Sequence, residues 1–138
     1  MERSGSVIGV ALLSLLLILS SVAKGMSSDM HYVSGRLYFP EDFGLLSSAI
    51  AYVTLSDVSP RQESSSEILA RQIIHPDRRR SIPFELAYDP AQIRERHLYA
   101  IQAQTTVAGA VVLRNTSAYP VITQGHPTTV DIYLEQID

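Results

Sequence analysis

The four histidines are the first residues of this chain whose type could support chemistry, because imidazole binds metals and exchanges protons near neutral pH. Metal-binding histidines are often closely spaced, but no two of these lie within five residues of each other. The spacing therefore predicts no metal site and no cofactor, and it favours solvated histidines at strand ends and turns. The four are His31, His75, His97 and His126.

Candidate nucleophiles are equally sparse. The chain contains no cysteine, and no serine lies in the Gly-x-Ser-x-Gly pattern that exposes a nucleophile at a strand-to-helix turn. Acidic pairs such as Glu41 with Asp42 lack the spacing and turn glycine of a calcium loop. We therefore expect no catalytic residues. One alternative stays open, a hydrolytic or small-molecule-binding domain that gathers Arg96, His97 and His126 at one end of the fold.

The densest charge in the chain is the run Arg78, Arg79 and Arg80. Such a run can contact an acidic partner or anionic lipid head groups, and it can equally be a solvated turn. Tyrosine suits protein contacts because its ring is apolar and its hydroxyl is polar. We therefore predict a partner surface that contains Tyr38, at the end of the first predicted strand, and the three arginines.

The elements that position these side chains are β-strands, because from Tyr32 onward apolar residues recur at every second position. A helix would need apolar spacings of three and four, and these are sustained nowhere in that region. Asp89 and Pro90 predict one short helical turn. About seven short strands predict two antiparallel sheets packed face to face. The predicted fold class is an all-β sandwich, transthyretin-like or immunoglobulin-like.

Alternation also predicts local details of these strands. Pro83 indicates an edge strand, since proline has no backbone donor for a ladder, and Ala108 with Gly109 indicates a hairpin turn. The third strand is ambiguous, because two sets of apolar residues compete for its inward face. One set is Ile68, Ala70 and Ile74, and the other is Leu69 and Ile73.

The N-terminal segment has the layout of a secretory signal peptide. Arg3 precedes an uncharged apolar run, residues 7–19, and small residues follow it up to Ala23. We predict a signal peptide at residues 1–23, a linker at 24–30 and one β-sandwich domain at 31–138. The protein is then exported, periplasmic or secreted. Cleavage after Gly25 stays open, and so does an uncleaved anchor, which would attach the protein to a membrane.

Charge narrows the classes of partner. The net charge is −3, which neither attracts nor repels nucleic acid strongly. We therefore predict no nucleic-acid partner. Without cysteine no disulfide can stabilise an exported domain, so its stability must come from buried apolar surface.

Several short motifs, in order along the chain, carry a resemblance to a known family. They are residues 33–37 (VSGRL), 52–59 (YVTLSDVS), 82–90 (IPFELAYDP), 99–103 (YAIQA) and 115–125 (NTSAYPVITQG). With these motifs the chain resembles the YbaY/YscW family of bacterial envelope lipoproteins, over about residues 31–134. One branch of that family is the pilotin of type III secretion, which helps the outer-membrane secretin ring to assemble.

The resemblance implies a small β-sandwich in the bacterial envelope, with no known enzymatic activity and no catalytic residues. Tyr119, Pro120, Thr123 and Gly125 match the family signature, and their implied role is to shape a corner of the chain. The chain lacks the cysteine that lipidated members carry. The predicted function is a non-enzymatic exported protein that binds an envelope protein or assists its assembly.

Overall fold

The structure is a computed structural model that describes residues 29–44, 47–60 and 67–137. The predicted signal peptide and most of the predicted linker lie outside these residues and stay predictions. The compact unit His31–Asp138 carries the fold. Within the described residues its strands are β1 His31–Tyr38, β2 Ile50–Asp57, β3 Glu67–Ile74, β4 Ser81–Tyr88, β5 Tyr99–Val107, β6 Ala110–Arg114, β7 Pro120–Val121, β8 Thr129–Tyr133 and β9 Glu135–Gln136.

The strands form two sheets, which confirms the predicted all-β fold class. The smaller sheet has the order β4-β1-β8, and the larger has the order β3-β2-β5-β6-β9, with β7 paired to β5. The predicted helical turn is a 3₁₀ turn at Pro90–Gln92, capped by the Asp89 side chain. Two of the strands, β7 and β9, have only two residues each, which is why alternation indicated about seven.

One strand pair differs from the antiparallel prediction. β1 and β8 run parallel, while the other pairs in the described sheets are antiparallel. Alternation reports which side chains share a face, but it carries no information on strand direction. After β8 the chain passes directly into β9 of the larger sheet, so this segment joins the two layers.

The core lies between the two sheets and follows the predicted alternation. In β2, β4 and β5 alternate residues are buried; on the inward faces of β1 and β8, Val33, Leu37 and Ile132 are buried and Val130 is partly buried. Burying such side chains removes apolar surface from water and is the main favourable contribution to folding. The fully buried apolar side chains include Val33, Leu37, Val53, Leu55, Ile82, Ile101, Leu113, Val121 and Ile132.

A β-bulge explains the ambiguity of β3. The pairing register of β2 with β3 shifts between Leu55 and Ser56 of β2, which leaves one additional residue on β3. A bulge moves the following side chains to the opposite face, so neither alternating set is inward throughout. The structure packs Leu69, Ala70 and Ile74 against the core and exposes Ile68 and Ile73.

The edge position predicted from Pro83 is confirmed, since β4 is an outer strand of the smaller sheet. Two residues further on, the backbone N–H of Glu85 donates to Gln72 Oε1 of β3 at 2.8 Å. Residues two apart in a strand direct their N–H groups to the same side. An N–H group at position 83 would therefore point away from β1, towards the outer edge of the smaller sheet. No strand of the described sheets pairs with β4 on that side, so proline costs no ladder hydrogen bond there.

Thr105 is the one buried side chain of the described residues with an unsatisfied polar atom. It is fully buried, and its Oγ1 has no hydrogen-bond partner. A buried hydroxyl without a partner costs about 1–3 kcal/mol, and valine has nearly the same shape. We expect Thr105→Val to raise the free energy of unfolding by about 1 kcal/mol in urea titrations. Thr106→Val, at the half-buried neighbour, is the control, and an equal or larger gain there would contradict this reading.

Candidate functional site

The four signature residues lie in residues 119–125, which we call the signature corner. This segment contains β7 and the turn that leads towards β8, so it connects the two sheets. Pro120 in β7 pairs with Ala100 of β5, and the Tyr119 carbonyl accepts from Ile101 N at 3.0 Å. The Tyr119 hydroxyl accepts from the backbone N–H of Tyr133 at 3.0 Å. Tyr119 thus contacts the larger sheet through its backbone and the smaller sheet through its side chain.

The corner turns through left-handed backbone conformations. Gly125 has a φ of +82° and Gln124 a φ of +58°. Ile122 has a φ of +76° and is the centre of a three-residue turn in which Thr123 N donates to the Val121 carbonyl at 2.9 Å. This conformation is strained for a β-branched residue. Thr123 secures the turn, because its hydroxyl donates to the His97 carbonyl at 2.7 Å.

A buried carboxylate lies beneath the loop before β5. Asp57 Oδ2 is 2.6 Å from His97 Nδ1, and Asp57 Oδ1 accepts from both the hydroxyl (2.6 Å) and the backbone N–H (3.0 Å) of Ser59. The Ser59 hydroxyl in turn accepts from Leu98 N at 2.9 Å. The Asp57 side chain is only 6% exposed and that of His97 is 32% exposed. This network ties the end of β2 to the loop before β5.

The pKa of the Asp57 carboxyl is about 2, against an ordinary value of 3.8. Burial is the largest single influence and raises this pKa. The hydrogen bonds from His97 and Ser59, together with the charge of His97, lower it and prevail. Asp57 is therefore ionised in the folded protein at all but strongly acidic pH.

The network does not have the geometry of nucleophilic catalysis. In a serine hydrolase the imidazole lies between the hydroxyl and the carboxylate, whereas here Asp57 lies between Ser59 and His97. His97 is therefore not placed to take the hydroxyl proton.

The other residues of the hydrolytic alternative do not join His97. Arg96 is exposed, and its backbone carbonyl accepts from Gln124 Nε2 at 3.4 Å. The His126 backbone N–H donates within the signature corner, to the Thr123 carbonyl. None of the four surface grooves that we describe is lined by Arg96, His97 or His126. The structure therefore does not bring these side chains together at a pocket.

The remaining histidines are separate from one another. His31 makes an edge contact with the ring of Tyr88 at 6.0 Å, and His75 is exposed next to β3. Over residues 29–44, 47–60 and 67–137, no group of three or more histidine and acidic side chains is arranged to hold a metal.

Two of the predicted partner residues, Tyr38 and Arg80, line one groove of about 720 Å³, which we call the tyrosine groove. Tyr38 of β1 and Tyr133 of β8 are paired in the parallel register, and their rings stack at a centroid distance of 4.8 Å. Tyr133 is 56% exposed. The groove is lined by Tyr38, Phe39, Glu41, Arg80, Ser81 and Tyr133.

The basic run lies beside the tyrosine groove. Asp77 and Arg78 have positive φ values of 53° and 65°, and Arg79 N donates to the Pro76 carbonyl at 3.1 Å, which is a type I′ turn. Arg80 Nη1 donates to the Glu41 carbonyl at 2.6 Å. All three arginines are exposed. Together with Phe39, Phe43 and Gly44 they line a second, smaller groove of about 200 Å³, and Arg80 is the one arginine that lines both grooves.

Two features of these sites were not predicted from the sequence. The Asp57–His97 contact joins residues 40 positions apart, and no local pattern points to it. The stacking of Tyr38 on Tyr133 depends on the parallel pairing of β1 with β8. The alternation places both tyrosines on the outward faces of their strands, and this was the available signal.

No helix in the part of the chain that the structure describes has the length and apolar character needed to span a bilayer.

The fold defines a class, a two-sheet β-sandwich whose layers are joined by its last strands. Its family follows from comparison with known proteins. A model of the type III secretion system lipoprotein chaperones (YscW) matches residues 28–134. The chain belongs to this family, and the resemblance found in its sequence is confirmed.

Two relatives support the assignment. The uncharacterized lipoprotein YbaY of Escherichia coli (strain K12) is 30% identical over 94 residues, which are 67% of this chain and 49% of that protein. The chain therefore spans about half the length of this curated relative. The structure of an alternative pilotin from the type II secretion system of Vibrio cholerae matches with a TM-score of 0.71 at 25% identity, covering 79% of this chain and 98% of the pilotin.

Proposed function

We propose that this protein is an exported, non-enzymatic module that binds an envelope protein of the secretin type and assists its assembly. The tyrosine groove is the binding surface. The observation that carries this proposal is the stacked pair of Tyr38 and Tyr133 beside Arg80 in one open groove. Tyrosine and arginine are the residue types enriched where binding energy concentrates in protein interfaces.

The stacked rings suit binding because they are already ordered before a partner arrives. Each ring restricts its neighbour at 4.8 Å, and Tyr133 is held in register by the hydrogen bond from its backbone to Tyr119. A side chain fixed in advance loses little conformational entropy on binding. In this account the signature corner positions the groove and does not itself contact the partner.

Arg80 supplies the polar specificity of the groove. Its guanidinium has five donors, and the described contact to the Glu41 carbonyl uses Nη1. The remaining donors can pair with a carboxylate or a backbone carbonyl of a partner segment. Arg78 and Arg79 lie in the adjoining turn and extend the positive surface, so we expect the partner segment to be acidic or neutral.

The family and the relatives support an envelope location, which suits this role. Family members are described as secretion system lipoprotein chaperones, and the relatives are a lipoprotein and a pilotin. We propose that the chain acts outside the cytoplasm, in the periplasm or at an envelope membrane, after export directed by residues 1–23. No reaction is proposed, because the described histidine and serine network has a structural arrangement.

Removing both rings of the tyrosine groove tests this function. We expect Tyr38→Ala with Tyr133→Ala to weaken capture of a secretin-type envelope protein by about thirtyfold in pull-downs, since each aromatic anchor contributes roughly 1 kcal/mol. The matched control is Tyr32→Ala, which removes an exposed tyrosine of β1 outside the groove. Equal capture by the double variant and the wild type would contradict the proposal.

A further inference from the structure

The outer face of the larger sheet contains a second groove that the proposed partner role does not use. Its volume is about 660 Å³, and we call it the polar groove. It crosses the strands β3, β2, β5 and β6. Its outward-facing side chains include Tyr52, Thr54, Arg71, Gln102, Gln104 and Arg114.

The strand register orders these side chains into two rows across the sheet. In one row Tyr52 pairs with Gln104, and Gln104 pairs with Arg114. In the next row Thr54 pairs with both Arg71 and Gln102. With neighbouring strands about 4.8 Å apart and successive rows about 6.6 Å apart, the backbones of the two arginines lie about 16 Å apart, three strand steps and one row from each other. The groove therefore has neutral polar groups at its centre and a cation at each end. Beyond Arg114, outside the groove lining, lies its register partner Glu135 of β9, whose carboxylate accepts from the Thr116 hydroxyl.

The charge of the polar groove is opposite to that of the protein as a whole. The chain carries a net charge of −3, yet none of the described residues lining the groove is acidic. Within the described part of the chain, Arg71 and Arg114 also form no ion pair. The groove is thus complementary to a ligand that carries separated negative charges.

The distribution of polar and apolar groups argues against a protein ligand. Protein interfaces have an apolar centre and a polar rim. Here the centre is polar, and the exposed apolar side chains lie at one side, where Ile68 and Ile73 of the outer strand β3 are 52% and 56% exposed. A protein partner would find no continuous apolar centre here, because Tyr52 is the one aromatic ring among the described side chains that line the groove.

Sugars fit the same surface well. The amides of Gln102 and Gln104 donate and accept hydrogen bonds at once, as sugar hydroxyls do. The half-exposed ring of Tyr52 lies among them and offers an apolar face with a polar tip. We propose that the polar groove binds peptidoglycan, with its amides and Tyr52 contacting the sugar backbone and with Arg71 and Arg114 pairing with the free carboxylates of the stem peptides.

This proposal depends on the exported location but not on binding at the tyrosine groove, so the two can fail independently. The test is cosedimentation of the purified protein with peptidoglycan sacculi, with chitin as a neutral matrix of similar backbone sugars. We expect binding to peptidoglycan that weakens as salt is added, and at least about tenfold less binding to chitin. Equal binding to both, or binding to neither, would overturn the proposal.

Two variants locate the binding within the polar groove. Gln104→Glu places a negative charge at its centre without changing the shape of the side chain, and Arg71→Gln with Arg114→Gln removes both cations. Each is expected to reduce binding to sacculi about tenfold. Gln92→Glu and Arg96→Gln alter exposed residues outside the groove and should leave binding unchanged. Equal losses in these controls would show a nonspecific charge effect and overturn the assignment.

An acidic peptide is the competing ligand. Soluble muropeptides should displace the protein from sacculi, while polyglutamate at the same carboxylate concentration should displace it at least about tenfold less well. Equal displacement by the two would mean that the groove recognises carboxylates alone, and the glycan assignment would be wrong. Thermal unfolding of each variant, unchanged from the wild type, verifies that the exposed substitutions leave the fold intact.

Discussion

Replacement of Gly35 by alanine is expected to unfold the domain or to lower its free energy of unfolding by at least about 4 kcal/mol. A Cβ atom built on Gly35 lies 1.6 Å from the Val130 carbonyl oxygen and 3.1 Å from the Phe84 ring. The obstacle is a backbone atom of β8, which pairs in parallel with β1 at this point. The strands would have to separate, so the expected loss includes ladder hydrogen bonds and buried contacts of Ile132.

Gly44→Ala is the matched control, because a Cβ atom at Gly44 meets nothing within 4 Å. We expect it to change the free energy of unfolding by less than about 0.5 kcal/mol. Urea unfolding followed by circular dichroism measures both variants. A Gly35→Ala variant as stable as the Gly44→Ala variant would show that β1 and β8 are not in close parallel contact.

Acid is expected to destabilise the protein through Asp57. The pKa of this carboxyl is about 2 in the folded state against 3.8 ordinarily, so the folded state favours the ionised form. Its contribution is fully present above about pH 4 and is lost as the pH falls through 2. At roughly 1.4 kcal/mol per unit of pKa, this amounts to about 2 kcal/mol. Urea unfolding at pH values from 2 to 7 measures it.

Asp57→Asn should remove this component of the acid dependence and should also lower stability at neutral pH by about 2 kcal/mol. Asp131→Asn is the control, because Asp131 is exposed on the outer side of β8. It should retain the wild-type loss in acid. If Asp57→Asn lost as much stability as the wild type between pH 4 and pH 2, the described network around Asp57 would not be the cause.

Much of the fold could be predicted from local sequence because burial on one face of a strand imposes a period of two. Ile82, Phe84 and Leu86 of β4 show that period without interruption, and Val33 and Leu37 of β1 follow it on either side of Gly35. Pro83 also indicates an edge strand from local sequence, because proline has no backbone N–H to donate to a neighbouring strand. The bulge of β3 interrupts the period, so no choice of a single inward set for that strand could be correct.

The features that depend on distant contacts could not be predicted. Residues 57 and 97 meet only because β2 and β5 are neighbours in antiparallel register. Tyr38 and Tyr133 stack only because the last long strand adds to the first in parallel. Each tyrosine alone is compatible with ordinary strand preference, so the tyrosine groove becomes recognisable only when the sheet order is known.

The composition of the tyrosine groove fits the role that the family name describes. A family of secretion system lipoprotein chaperones requires a surface for another protein. The tyrosine groove combines ordered aromatic rings with an arginine at an exposed site, which is the composition such a surface needs. Under the proposed function, the signature corner holds β8 where it presents Tyr133 to the groove, while the Asp57 network ties β2 to the loop before β5 in the larger sheet.

Site-specific photo-crosslinking in the living cell tests whether the tyrosine groove binds a secretin-type envelope protein. A benzoylphenylalanine placed at Glu41 lies in the tyrosine groove and leaves intact the backbone carbonyl that accepts from Arg80. We expect one discrete product with a secretin-type envelope protein, abolished by Tyr38→Ala with Tyr133→Ala and absent when the crosslinker is at Ile73. The absence of a product at Glu41, or the same products from Glu41 and Ile73, would contradict this binding.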